Sequence, residues 1–318
     1  MIETSFLERF FKNEKRAVSR AISYVEAGDE NSVNLLKSIF SKTGKAYRVG
    51  ITGPPGAGKS TLTNQLTKIF RAEGKSVGII AVDPTSPFTG GAVLGDRIRM
   101  NDIGSDDGVF IRSMATRGSL GGLSKKAIDA ADVLDAAGYD IVIFETVGVG
   151  QSELDIAQAA DTTAVVLVPE SGDSVQAMKA GLMEIADFFV LNKSDRPGAE
   201  NAFMALQTML MFRPHDENTH LPAILKTIAS EKVGISEVRE QIELHRKYLI
   251  DNNLLAAKRE NNSRIRIESI IRNMISEEIW DENRKQVLDN AVSEVVKGKI
   301  SPYNIAEQII SNYKLNIS

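Results

Sequence analysis

The chain has 318 residues, 42% hydrophobic and 25% charged, a composition typical of a soluble globular protein of about two domains. A net charge of −4 gives no general attraction for nucleic acid, and the absence of cysteine excludes disulfides, thiolate catalysis and cysteine-bound metal. The N-terminus resembles no targeting peptide, and no apolar run approaches the roughly 18 residues of a membrane span. We therefore expect a cytoplasmic protein without a membrane or nucleic-acid partner.

Residues 1–46 are predicted to be helical, because their apolar residues recur at the spacing of one helix face. Gly28 and Gly44 mark the ends of successive segments. We interpret this part as an N-terminal helical extension. The apolar residues concerned are Phe6, Leu7, Phe10, Phe11, Val18, Ala21, Ile22, Val25, Val33, Leu36, Ile39 and Phe40.

A phosphate-binding loop is predicted at residues 53–61, which fill the template G-x-x-x-x-G-K-[ST] between a short strand and an amphipathic helix. Glycines let several backbone N–H groups face one anion, and the helix N-terminus adds partial positive charge. Lys59 is expected to reach the β- and γ-phosphates, and the Ser60 hydroxyl to bind Mg²⁺. The predicted nucleotide-binding residues here are Gly53, Pro54, Pro55, Gly56, Ala57, Gly58, Lys59, Ser60 and Thr61.

From residue 47 to about 250, strand and helix patterns alternate, and several strands are continuously apolar, as a sheet covered on both faces requires. This pattern predicts a P-loop α/β domain over 47–250, with a doubly wound, mostly parallel sheet and a ligand at the carboxyl ends of the strands. The predicted strands are 47–52, 77–82, 108–112, 139–144, 162–168, 187–191 and 223–227. The predicted helices are 59–73, 94–102, 123–137, 152–159, 173–184, 199–211 and 234–249.

Two aspartates after the second predicted strand are candidate metal ligands. Asp83 ends that strand, and Asp96 begins an amphipathic segment. Carboxylates at a strand end suit the oxygen-rich, octahedral shell of Mg²⁺. The alternative is that Asp83 caps a turn and Asp96 caps a helix. The metal interpretation leads for Asp83, and the two interpretations are balanced for Asp96.

Glu145-Thr146-Val147-Gly148 follows the predicted strand 139–144. In GTPases an acidic residue and a glycine at this spacing form the second switch, where the acid holds the Mg²⁺ shell and the glycine N–H donates to the γ-phosphate. Small signalling GTPases place a water-orienting glutamine after the glycine, whereas this chain has Val149, which cannot orient water. We therefore expect slow hydrolysis, with Gln151 as a candidate after rearrangement.

The base-recognition motif N-K-x-D stands at Asn192-Lys193-Ser194-Asp195, directly after an apolar strand. The Asp195 carboxylate can accept from guanine N1–H and the 2-amino group together, which adenine does not offer. Lys193 is expected to lie over the base, and Asn192 to tie this turn to the phosphate loop. The motif predicts GTP and GDP as ligands.

A second contact to guanine is predicted at Thr227-Ile228-Ala229-Ser230. Such proteins place a short loop here whose backbone N–H meets guanine O6, and the candidate residues are Ile228, Ala229 and Ser230. The side chains depart from the usual Ser-Ala-Leu sequence, which a backbone contact tolerates.

Residues 251–318 carry only helical patterns, whose apolar stripes must be buried against some surface. The helices either cover the sheet or form an oligomer interface, and we favour the interface. Trp280 is interpreted as a core or interface residue of this helical arm. The three histidines (His215, His220 and His245) are expected on surface loops and helices rather than in a metal site.

Three segments resemble one family in particular. They are 83–97, which begins Asp-Pro-Thr-Ser-Pro-Phe-Thr-Gly-Gly, then Arg-Gly-Ser-Leu-Gly-Gly-Leu at 117–123, and Glu-Thr-Val-Gly-Val-Gly-Gln-Ser-Glu at 145–153. Together they resemble the methylmalonyl-CoA mutase-associated GTPases of MeaB/ArgK type, which include the human MMAA protein and belong to the SIMIBI class. The match spans 40–250, and the flanking helices fit the family's N-terminal extension and C-terminal dimerisation arm.

The resemblance implies GTP hydrolysis coupled to protecting, loading or reactivating an adenosylcobalamin-dependent mutase, by a homodimer that uses Mg²⁺. It makes Asp83, Asp96 and Glu145 the Mg²⁺-linked acids and implies switch segments near 84–99, 145–158 and 170–184. Lys179 is the basic candidate in the last of these, where Glu-Ser-Gly-Asp at 170–173 departs from the family's usual Pro-Gly-Ala/Ser-Gly-Asp.

Three other functions stay open from the sequence. A metallochaperone GTPase of the same class usually carries Cys-rich or His-rich loops, which this chain lacks. A small-molecule P-loop kinase is disfavoured by the guanine motif and by the lack of a dedicated acceptor pocket. A GTP-binding adaptor without catalysis is compatible with Val149.

Overall fold

The computed structural model describes residues 2–84, 101–116, 122–146, 157–169, 181–212 and 220–315. These residues form two compact units, Met1–Lys258 and Arg259–Ser318. The predicted boundaries of the N-terminal extension, the P-loop domain and the C-terminal arm, at 46/47 and 250/251, stay predictions. No helix of the described ranges has the length and apolar content needed to cross a bilayer.

The larger unit is built on a seven-stranded sheet in the order β3-β2-β4-β1-β5-β6-β7, with every neighbouring pair parallel. The predicted α/β fold class, a doubly wound P-loop sheet, is confirmed. The strands are β1 Tyr47–Thr52, β2 Val77–Pro84, β3 Val109–Thr116, β4 Ile141–Thr146, β5 Thr162–Leu167, β6 Phe188–Asn192 and β7 Ala223–Thr227.

Helices cover both faces of this sheet. Three of them precede the first strand. The last three helices of the chain lie mainly in the smaller unit. In chain order they are α1 Thr4–Phe11, α2 Lys15–Ala27, α3 Glu30–Ile39, α4 Lys59–Ala72, α5 Asn101–Gly104, α6 Gly122–Ala136, α7 Leu182–Ile185, α8 Ala199–Met211, α9 Ile235–Asp251, α10 Leu254–Ile279, α11 Glu282–Val296 and α12 Pro302–Leu315.

The alternation of side chains along the strands divides the core into two layers. In β4, Val142 and Phe144 pack with α6 and the N-terminal helices on one face, whereas Ile141 and Ile143 pack with α4 and α9 on the other. Residues i and i+2 of a strand share a face, so Glu145 continues the α4 face. This parity places its carboxylate toward the start of α4.

Five strands differ from the predicted ranges, and β3 and β4 differ most. β4 begins two residues later than predicted, because Asp140 precedes the strand and its carboxylate accepts from the N–H and hydroxyl of Ser76. Consequently Glu145 lies inside the strand rather than after it. β3 extends four residues further than predicted, because it stays paired in register with β2 as far as Thr116, which lies opposite Pro84.

The smaller unit contains the three-helix run α10 to α12 beyond residue 258. Asp281 caps α11 by accepting from the Arg284 N–H at 2.8 Å. Between these helices lies an apolar cavity of about 560 Å³, lined among others by Trp280, Val292 and Ile309. Val296 on its rim is 82% exposed, so apolar surface of this unit faces outward.

Candidate nucleotide-binding site

The turn between β1 and α4 has a backbone that only glycine accommodates at two positions. Gly53 has φ +136°, and a Cβ there would lie 2.0 Å from the carbonyl oxygen of Val166. Gly58 has φ +87°, and its Cβ would lie 2.3 Å from Nδ2 of Asn192. Both contacts are shorter than atoms can approach, so the loop keeps its shape only with glycine. The predicted phosphate loop thus packs directly against β5 and the 192–195 turn.

Lys59 begins α4 and is only 5% exposed. Its ammonium donates to the carbonyl oxygens of Gly53 at 2.8 Å and Pro54 at 2.9 Å. A buried ammonium must have hydrogen-bond acceptors, and here the loop itself supplies them. A phosphate group that bound Lys59 would compete with these two carbonyls.

Ser60 and Glu145 come together beside that lysine. The Ser60 hydroxyl donates to Oε1 of Glu145, which is 3% exposed. On the other face of β4, the Thr146 hydroxyl and the hydroxyl of Thr52 in β1 bond each other at 3.0 Å. Asp83 lies at the carboxyl end of β2, the strand next to β4, but its side chain lies outside the described residues. The edge thus gathers oxygen ligands of the type that Mg²⁺ prefers.

Asn192, at the end of β6, connects three segments. Its Nδ2 donates to the carbonyl oxygen of Ala57 at 2.8 Å. Its Oδ1 accepts from the hydroxyl of Thr227 and from the N–H of Ala229, each at 3.0 Å. All three hydrogen bonds are buried. One amide group therefore connects the phosphate loop, the 192–195 turn and the 227–230 loop.

The next residues of this turn, Lys193 to Asp195, become progressively more open, and Asp195 is exposed. Lys193 adopts a left-handed conformation with φ +56°, and its ammonium donates to the carbonyl oxygen of Gly56 at 2.8 Å. Asp195 is exposed, so its carboxylate can meet a base. The loop opposite is closed by paired backbone bonds between Ile228 and Val233, at 3.1 and 3.2 Å.

Four predicted residues, Asp96, Gly148, Gln151 and Lys179, lie outside the described residues. The described candidates divide into two groups along the carboxyl edge of the sheet. The phosphate and metal candidates lie together at β1, α4 and β4, and the base candidates lie together at β6 and β7.

Residues 18–284 match the protein family described as methylmalonyl-CoA mutase-associated GTPase MeaB. The chain belongs to this family. It is a GTPase that binds GTP and GDP. The family resemblance, which three sequence segments indicated, is confirmed.

Relatives align over almost the whole chain. GTPase ArgK of Escherichia coli is 34% identical over 96% of this chain and 96% of its own length, and a Pyrococcus abyssi protein is 46% identical over 96% and 94%. The mouse mitochondrial methylmalonic aciduria type A homolog is 29% identical over 98% of this chain and 80% of its own. A crystal structure described as an LAO/AO transport system kinase has a TM-score of 0.74, 27% identity and 99% coverage of both chains.

Thr227 begins the predicted segment 227–230, but the sequence reasoning did not count it among the candidate residues of that segment. It is fully buried, and it contacts Asn192 because β6 and β7 pair these two residues in register. Its backbone oxygen also accepts from the N–H of Ser194 at 3.0 Å and from the Ser194 hydroxyl at 3.1 Å. A threonine at the end of the strand before the predicted O6 loop was the available signal.

A second buried polar cluster lies at the opposite edge of the sheet, and it corrects the expectation for one histidine. His245 was expected on the surface, but it is 2% exposed, and its Nδ1 bonds the Thr162 hydroxyl at 2.7 Å. That hydroxyl also bonds the Tyr47 hydroxyl at 2.5 Å. Burial lowers the pKa of His245 to about 4, although Asp187 opposes the shift. The wrong prediction arose because the apolar stripe of α9 includes position 245.

Proposed function

We propose that this GTPase uses GTP binding and hydrolysis to protect, load or reactivate an adenosylcobalamin-dependent acyl-CoA mutase of the methylmalonyl-CoA mutase type. The match of residues 18–284 to a family described as mutase-associated carries the proposal. The description of the mouse relative, which names methylmalonic aciduria, also supports it. We place the protein in the cytoplasm, where it would meet such a client.

In the proposed site, Lys59 binds the β- and γ-phosphates, and the N–H groups of residues 53–61 surround them. Asp195 accepts from the guanine edge, Lys193 lies over the base, and Asn192 keeps the two loops together. The 228–230 backbone meets guanine O6. Since Ala229 N–H already donates to Asn192, the O6 contact requires either a shared donor or the neighbouring Ser230.

We propose that Mg²⁺ binds beside Ser60. The side chains at this position suit Mg²⁺, because the Ser60 hydroxyl and the buried carboxylate of Glu145 are in contact there. Asp83 and Asp96 complete the proposed set of oxygen ligands. When bound, the metal would neutralise charge on the β- and γ-phosphates. The chain's own residues position these oxygens, since Ser60 lies in the first turn of α4 and Glu145 lies one residue before the end of β4.

Slow turnover by the isolated protein is part of the proposal. Val149 follows Gly148, the proposed donor to the γ-phosphate, and a valine side chain has no hydrogen-bonding atom for the attacking water. Gln151, after rearrangement, and Lys179, the basic residue of the third switch segment, are the proposed catalytic groups. A partner that favours one nucleotide state would then change the rate, because coupling requires differential contact with the two states.

The proposed assembly is a homodimer formed through residues 251–318. The apolar cavity of about 560 Å³ in the smaller unit and the exposed Val296 support an interface there, because apolar surface of this kind is normally covered. Deleting the arm should give a monomer that still binds GTP.

Single-turnover GTP hydrolysis, with and without a cobalamin-dependent mutase from the same source, tests the proposed client. We expect the mutase to change the rate constant and to bind the GTP and GDP states with different affinity. An acyl-CoA enzyme without cobalamin is the control and should have no effect. An unchanged rate, together with no complex in either nucleotide state, would remove the mutase from the proposal and leave the GTPase activity standing.

A further inference from the structure

Thr227 and Asn192 form a buried pair between the two base-side segments. They are aligned Cα partners of β7 and β6, exposed by 0% and 2%. Thr227 Oγ1 and the Ala229 N–H both donate to Asn192 Oδ1. These two donors fix the orientation of the Asn192 side-chain amide. In the flipped orientation its NH₂ group would face the Ala229 N–H, and two donors would oppose each other. Nδ2 is thereby directed at the carbonyl oxygen of Ala57.

The backbone of Thr227 also contacts the 192–195 turn. Its carbonyl oxygen accepts from both the N–H and the hydroxyl of Ser194, the residue between Lys193 and Asp195. The carbonyl therefore fixes the turn that carries Asp195, while the hydroxyl fixes the amide that reaches the phosphate loop. One residue thus links the parts that would bind the base to the part that would bind the phosphates.

We propose that Thr227 is a positioning residue for guanine nucleotide, whose hydroxyl holds the Asn192 amide in its binding orientation before the nucleotide arrives. The inference rests on nucleotide binding by the family and on the assignment of Asn192 and Asp195 to the base. It deepens that assignment by naming a residue that does not touch the ligand. Holding the amide in advance lowers the ordering cost of binding, so its loss should weaken affinity.

The substitution Thr227→Val removes the hydroxyl at nearly constant volume and leaves Asn192 Oδ1 with one donor. Loss of one buried hydrogen bond corresponds to about a fivefold to thirtyfold loss of affinity for GDP and GTP. Since substitutions at a binding site usually change the dissociation rate more than the association rate, most of that change should appear as faster dissociation. Thr227→Ser keeps the hydroxyl and should bind within about threefold of the wild type.

The matched control is Thr163→Val, the same change at a buried threonine of β5. Thr163 is 1% exposed, and its hydroxyl makes no hydrogen bond within the described ranges. This variant should bind GDP like the wild type. The decisive measurement is a double-mutant cycle by calorimetry with GDP and by stopped-flow dissociation of a fluorescent GDP analogue. In an Asn192→Ala background, Thr227→Val should change affinity less than about twofold, because its target is gone.

Two results would overturn the inference. One is wild-type GDP affinity in Thr227→Val. The other is an equal loss of affinity for Thr227→Val in the presence and absence of the Asn192 side chain, which would mean that the residue acts only on the fold. If Asn192→Ala itself bound GDP like the wild type, the proposed base site would be wrong, an outcome distinct from failure of Thr227 alone.

Discussion

The base side and the phosphate side of this site differ in how their polar groups are satisfied. On the base side, the hydrogen bonds of Asn192 join segments to one another and leave the Asp195 carboxylate facing outward. On the phosphate side, Lys59 and Ser60 bond carbonyl and carboxylate oxygens that a phosphate group or a metal would have to replace.

This difference indicates that the two halves of the nucleotide meet different surfaces. In the proposed site, the base would enter a region whose hydrogen bonds are already made, whereas the triphosphate would replace hydrogen bonds within the protein by its own. Since only interactions that change between states can couple a site to a partner, rearrangement on the phosphate side is the place where nucleotide state can be transmitted.

The largest effect is expected from Lys59→Ala, which removes the cation of the phosphate side. Hydrolysis should fall by about 10²-fold to 10³-fold, because a preorganised charge at the transferred phosphoryl group is lost. Single-turnover hydrolysis measures this loss. Lys75→Ala is the control, since Lys75 is half-exposed and pairs with Asp140, and it should leave the rate unchanged. An active Lys59→Ala variant would contradict the phosphate assignment.

Asp195→Asn probes the base side and should reduce GTP affinity about 10²-fold while improving the affinity for xanthosine triphosphate. The change replaces one acceptor of the carboxylate with a donor, which opposes the 2-amino group of guanine and can donate to the 2-carbonyl oxygen of xanthine. Calorimetry gives both affinities. Asp107→Asn, at a fully exposed aspartate, is the matched control. If the wild-type protein bound ATP as tightly as GTP, the assignment of Asp195 to guanine recognition would be wrong.

His245, at the opposite edge of the sheet, separates fold stability from ligand binding. Its folded pKa of about 4 lies below the ordinary value of 6.5, so the unfolded chain binds the proton more tightly. The resulting stability is complete above about pH 6.5 and is lost as the pH falls toward 4.

Between about pH 7 and pH 4.5 this residue should account for about 2 kcal/mol of the fall in unfolding free energy. Urea unfolding of the wild type and of His245→Gln across that range measures it, and the variant should show the shallower dependence. GDP affinity at pH 7 should be the same for both proteins. Parallel pH profiles would show that His245 does not titrate as described.

The smallest effect is expected from Ser60→Ala, which should raise the Mg²⁺ concentration needed for half-maximal hydrolysis by about tenfold, because one oxygen ligand is lost. A magnesium titration of the steady-state rate measures the shift. Ser38→Ala, which removes a hydroxyl bonded to the Asn34 carbonyl on α3, should titrate like the wild type. The same result for Ser60→Ala would remove Ser60 from the proposed metal site.

Much of the fold could be predicted because its cues are local. The range of β1 agreed with the structure, α4 ended within one residue of its prediction, and α8 matched residues 199–211. A glycine template, a helical stripe and a continuous apolar strand each lie within a few consecutive residues.

Contacts that depend on strand register could not be predicted in the same way. Ser60 meets Glu145 because β1 and β4 pair Ile51 with Glu145, and Thr227 meets Asn192 because β7 pairs with β6. No local pattern specifies such pairings. The burial of His245 was predictable in principle, since it lies three residues after Ile242 and four before Leu249 on the buried stripe of α9.

A crystal structure of the complex with GDP and Mg²⁺ would compare the two sides most directly. We expect the bonds of Asn192 to Ala57 and Thr227 to persist, while Lys59 leaves the carbonyls of Gly53 and Pro54 for a phosphate oxygen. The Ser60 hydroxyl should likewise leave Glu145. A complex in which Lys59 still bonds both carbonyls, or in which the Asn192 bonds are broken, would contradict a prearranged base side and a rearranging phosphate side.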